Sequence, residues 1–142
     1  SANAYTERAR SVPMGEWQAV PYDASAFSAT GGLVWAPAPA NLTCNRYTLI
    51  GKTLQWKVVC DAPIGGTGTG GLALRLPGGF VAAVTHAAIG FTSYGTGYPS
   101  GGMGLFATTG GSAILSLTTF PSFSFMPTTT FTMWADFTVE IQ

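Results

Sequence analysis

Phe131-Thr132-Met133-Trp134-Ala135-Asp136-Phe137-Thr138-Val139-Glu140-Ile141-Gln142 alternates without a break between apolar and polar side chains, apart from Trp134. Successive side chains of a strand point to opposite faces, so this period of two predicts a long strand with one buried face. Phe131, Met133, Ala135, Phe137, Val139 and Ile141 share the inner face. Trp134, Asp136, Thr138 and Glu140 fall on the outer one, where a large indole is out of place.

The same period recurs upstream. Tyr47 to Val58 reads as a hairpin with Gly51 at its tip, where a backbone free of Cβ strain is needed. Leu72, Leu74 and Leu76 alternate with Ala73 and Arg75 before a Pro77-Gly78-Gly79 turn. Phe80–Phe91, Met103–Thr108, Ala113–Leu117 and Phe120–Phe125 read as further strands, and Glu16–Val20 and Leu33–Trp35 as a pair at an edge. Asp61 to Gly71 reads as a flexible connection, and Tyr94 to Gly104 as a second Gly-rich loop. No apolar stripe of helical period is present. Eight to ten short strands with Gly and Pro punctuation predict an all-β fold, an antiparallel β-sandwich of jelly-roll-like type. Residues 16–142 form the single domain. Residues 1–15 hold three of the twelve charges and no alternation, and are expected to form an extended N-terminal arm. A neighbouring subunit holds it, or Val12, Met14 and Trp17 tie it to its own sandwich.

Only 8% of the 142 residues are charged, six acids against six bases, while mean hydropathy is +0.29. An average soluble domain carries about 25%. An exterior of Thr, Ser, Ala and Gly with zero net charge suits contact with protein neighbours better than free diffusion. No basic patch supplies a nucleic-acid footprint, and no run reaches the roughly 18 apolar residues of a spanning helix. Arg8 and Arg10, beside Glu7, read as an arm contact. No signal-peptide core is seen in the first ten residues, so synthesis in a reducing host cytoplasm is expected. Parity turns Cys44 outward and Cys60 inward, which predicts two free thiols unless a bulge between 44 and 47 reverses it.

Catalytic chemistry finds little purchase. His86, the sole histidine, stands in Ala82-Ala83-Val84-Thr85-His86-Ala87-Ala88-Ile89 with no Cys, Asp or Glu near it in sequence, and reads as structural or solvent-facing. Asp136 and Glu140 share a strand face roughly 13 Å apart, where they keep the strand soluble. Gly65 to Gly71 lacks the Gly-Lys-Ser/Thr ending of a phosphate loop. No catalytic residue, metal ligand or cofactor is expected, and the chain reads as no enzyme. Exposed aromatics point to contacts: Trp134 to a subunit interface, with Arg8 and Arg10, and the loop residues Tyr94 and Tyr98 either to a sugar or receptor or to packing within their own loop.

Three stretches carry a resemblance: Val12-Pro13-Met14-Gly15-Glu16-Trp17-Gln18-Ala19-Val20-Pro21-Tyr22-Asp23-Ala24, Tyr47-Thr48-Leu49-Ile50-Gly51-Lys52-Thr53-Leu54 and Leu74-Arg75-Leu76-Pro77-Gly78-Gly79-Phe80. Together they resemble small phage virion β-sandwich proteins of the capsid decoration or tail appendage type. The resemblance implies a structural protein of the virion surface, with copies of itself, in such groups often a trimer, and the major capsid protein as partners. It carries over no catalytic or metal residue. Capsid decoration is the leading placement. A tail-fibre or receptor-binding tip recognising a host glycan, and a free carbohydrate-binding module, are the alternatives.

Overall fold

The computed structural model describes residues 15–94, 102–120 and 125–142. Among them are eleven strands: β1 Gln18–Ala19, β2 Phe27–Ala29, β3 Leu33–Val34, β4 Leu42–Ile50, β5 Thr53–Asp61, β6 Gly65–Gly66, β7 Leu72–Arg75, β8 His86–Tyr94, β9 Gly102–Thr108, β10 Ile114–Phe120 and β11 Phe131–Glu140. The fold is all-β and antiparallel. The alternation that defines β11 is realised: Phe131, Met133, Ala135, Phe137, Val139 and Ile141 are buried, whereas Trp134, Asp136, Thr138 and Glu140 are exposed.

Nine strands form one sheet in the order β1-β4-β5-β11-β8-β9-β10-β7-β2, and β3 pairs with β6 in a small ribbon. The β8-β9-β10 meander has β11 returning beside β8, a Greek key. With β7 beside β10 it makes a second key that shares the meander. The strand connections are thus overlapping Greek keys within one continuous sheet. Five strand steps separate β11 from β2, about 24 Å on a flat sheet. Yet Trp35 lies 5.5 Å from the Phe27 ring of β2 and 6.2 Å from the Phe131 ring of β11. Likewise Tyr47 of β4 meets Phe80, beyond β7, at 5.9 Å. The sheet therefore folds over itself, and its two halves make the sandwich around one core. Strong alternation drives this: β5, β7 and β11 each bury one side, and a single flat sheet leaves that side wet.

The β4–β5 hairpin closes at Gly51 and Lys52, with Ile50 opposite Thr53 and Gly51 at φ +61°. A bulge between Leu42 and Cys44 shifts the register, and Cys44 then faces Val59, which stands between inward Val58 and Cys60. Cys44 is outward and Cys60 buried, and both thiols are free. Asp23 caps the short turn before β2: its Oδ1 accepts from the Ser25 N–H (2.9 Å) and hydroxyl (2.7 Å), and its Oδ2 pairs with Arg75 of β7. Those Ser25 hydrogen bonds, with the Arg75 charge, hold the Asp23 carboxyl below its ordinary range. The stabilisation is present above that range and lost as pH falls through the depressed value.

Two expectations need correction. Glu16–Val20 and Leu33–Trp35 do not pair with one another: β1 joins β4, and β3 joins β6. The Gly-rich stretch after Asp61 is not merely a flexible connection, for it contains β6 and a bridge from Gly70 to Phe125. Of the expected Phe120–Phe125 strand, Phe120 closes β10 and residues 121–124 lie outside the described residues. The glycines are there because two backbones touch. A Cβ on Gly31 or Gly70 would overlap the carbonyl oxygen of Thr69 or Thr30, respectively. Gly51 instead opens onto free space. Gly51→Ala is therefore expected to cost about 1–2 kcal/mol from left-handed backbone alone. Gly31→Ala (φ +68°) adds the steric clash, about 1 kcal/mol further. Urea midpoints of the two variants, measured together, check the difference.

Candidate functional site

The outer face of β4, β5 and β11 concentrates the features that the core does not explain. Register places Trp134 opposite Val59, and Val59 opposite Cys44, a row across three strands. Trp134 is 45% exposed, a large indole in water on a strand whose other face is fully packed. In the adjacent row Asp136 faces Lys57, and Lys57 faces Arg46. Two cations directly opposed on neighbouring strands repel. Two contacts relieve them. Lys57 Nζ lies 3.9 Å from Asp136 Oδ2. The Trp17 ring covers both cations, 5.0 Å from Lys57 Nζ and 5.4 Å from the Arg46 guanidinium carbon. Each such contact is worth about 0.5–1 kcal/mol at an exposed site. Trp17, the last apolar member of the arm-tying set read from sequence, thus lies on its own sheet. Val12, Met14, Arg8 and Arg10 lie outside the described residues.

Tyr94 is the last residue of β8, opposite Phe131 of β11. Tyr98 lies outside the described residues, so the two are not brought together as a described loop.

A second locus was invisible in the sequence. Lys52, Thr53, Val84, His86, Thr138 and Glu140 line an open hollow of about 430 Å³. His86, which has no acidic neighbour in the chain, here has Glu140 across the hollow. The backbone builds it. The Ile141 N–H donates to the Lys52 carbonyl (2.9 Å), and the Ala83 N–H to the Glu140 carbonyl (2.7 Å). The end of β11 is thereby clamped between the hairpin tip and the segment leading into β8. Beyond this clamp the ladder is irregular. Ala82 bridges Ile141 and Phe91 pairs with Trp134, yet nine residue steps separate the first members and seven the second. Two surplus residues on the β8 side break the regular pairing, the kind of bulge that re-aims side chains near sites. Among the described residues, no group of three or more His, Cys, Asp or Glu is placed to hold a metal ion, and no helix is long and apolar enough to cross a membrane.

Thiol chemistry distinguishes the two faces. Burial, with the nearby Asp61 charge, pushes the Cys60 thiol up to about 12. Cys44 is half-buried on the outer face, its sulfur 3.8 Å from the Lys57 carbonyl. A disulfide reagent at neutral pH is expected to modify one thiol per native chain, at Cys44, and two in urea. Peptide mapping of the labelled protein checks the assignment.

No family model, no curated protein and no solved structure matches the chain.

Proposed function

We propose that the chain is a structural subunit of a phage virion surface, of the capsid decoration type, and that its outer β4–β5–β11 face docks on a second copy of itself. One observation carries the reading: Trp134 stands 45% exposed beside Val59 and an opposed Lys57–Asp136 pair. Indoles are enriched at protein contacts because they bury much area at low entropic cost. A face with both charge signs side by side also fits a copy of itself, since a two-fold axis running between Lys57 and Asp136 sets each Asp136 against the other copy's Lys57. The sparse charge of the whole chain and its resemblance to virion β-sandwich proteins support the wider placement. The major capsid protein is the further partner this reading names.

The test has two parts. Sedimentation velocity of the purified chain at tens of micromolar is expected to give an oligomer mass. Mass spectrometry of particles from its natural setting is expected to find many copies per particle. A monomer throughout the concentration range, with none in particles, overturns the reading. A monomer that binds a glycan array transfers the function to carbohydrate recognition.

A further inference from the structure

We infer that the hollow between the hairpin tip and the start of β8 is a binding site for a small zwitterion carrying both an ammonium and a carboxylate, of the α-amino acid class. The argument starts from what the lining side chains do not do. Among the described residues, the side chains of Lys52, Thr53, His86, Thr138 and Glu140 make no hydrogen bond or ion pair with the protein. Opposite charges on Lys52 and Glu140 thus face one hollow without reaching each other.

Charge then selects the ligand. Glu140 repels a phosphate or a simple carboxylate, and Lys52 repels a simple amine. A metal ion lacks its ligand set. A molecule with both charges meets complementary partners at each end: its carboxylate takes the Lys52 ammonium and an imidazole N–H of His86, and its ammonium takes Glu140. The Thr53 and Thr138 hydroxyls add donors or acceptors between them, and Val84, 45% exposed, offers apolar contact for the Cα substituent. The volume falls within the range of small-molecule sites, about 300–1,000 Å³. The irregular ladder between Ala82 and Phe91 frees His86 from the register that would place it in line with β11. The hollow lies at the hairpin-tip end of the same outer face, with Glu140 four residues beyond Asp136, about 13 Å along the strand, and six beyond Trp134.

Exposed ion pairs are weak, so the dissociation constant is expected on the order of 10 mM. Titration of ¹⁵N-labelled full chain with L-alanine, followed by amide shifts, is expected to move the signals of Lys52, Thr53, His86 and Glu140 with saturation. Propionate, ethylamine and N-acetylalanine methylamide, each lacking one or both charges, are expected to leave them in place. Lys52→Met and Glu140→Gln are each expected to weaken L-alanine binding about fivefold, the scale of one exposed pair, with the rest of the spectrum retained. No saturable shift with L-alanine overturns the site. So does propionate or ethylamine binding as tightly as L-alanine, or glucose moving the same amides instead. Oligomer mass is expected to stay unchanged in both variants, which separates failure here from failure of the docking face.

Discussion

Phe137→Ala is expected to lower the stability of the domain by about 3–5 kcal/mol. At this chain length that corresponds to a fall in melting temperature of roughly 10–20 °C. The ring is 1% exposed and sits 4.8 Å from Phe106 of β9 and 5.4 Å from Trp56 of β5. Those strands lie on opposite sides of β11 in the sheet order, so one side chain ties three strands of the folded sheet. Its loss leaves a cavity that rings on either side cannot collapse into without leaving their own partners. Ser116→Ala is the control. It alternates with buried Leu115 and Leu117 on β10 and is exposed, so its effect should stay within about 0.5 kcal/mol. Chemical denaturation of both variants is the measurement. A loss under about 1 kcal/mol for Phe137→Ala contradicts a shared core between the halves of the sheet.

What was legible in the chain follows the same physics. The facing of β11 is legible residue by residue, because ten or more alternating positions leave one register that buries the apolar set, although the strand ends at Glu140 rather than Gln142. The β4–β5 hairpin was legible from Gly51, and the opposite facing of Cys44 and Cys60 from parity. The bulge next to Cys44 did not spoil that parity, because it falls between Leu42 and Cys44 rather than beyond it. β2, β3 and β6 were missed or mispaired for a shared reason. Two or three residues carry no period, and their partners are set by where distant glycines let backbones touch, as at Gly31 and Thr69. The hollow is not legible in the chain because its lining residues are neighbours in the fold and not in the sequence. His86 and Glu140 stand 54 positions apart, and only the clamp at Ala83 and Lys52 unites them. Trp134 needed no tertiary knowledge: an indole in the polar register of a strand is already anomalous.

That anomaly yields the second large effect. Trp134→Ala is expected to raise the self-association constant for dissociation at least 30-fold, the loss of about 2 kcal/mol typical of an aromatic at the centre of a contact. The fold should hardly register it. The indole lies on the outer face, its cross-strand neighbour Val59 keeps its inward companions Val58 and Cys60, and no buried cavity forms. A melting temperature within a few degrees of the parent is therefore expected. Sedimentation equilibrium and thermal unfolding on the same samples separate the two quantities. Charge supplies an independent check, because Asp136→Lys places like charge against Lys57 both within one copy and across a two-fold contact. It should weaken association, and Lys57→Asp added to it should restore most of the loss, since the pair is then reversed rather than broken. An unchanged oligomer mass with a lowered melting temperature in Trp134→Ala makes the indole a folding residue. The copy-on-copy contact then has to be sought away from β11.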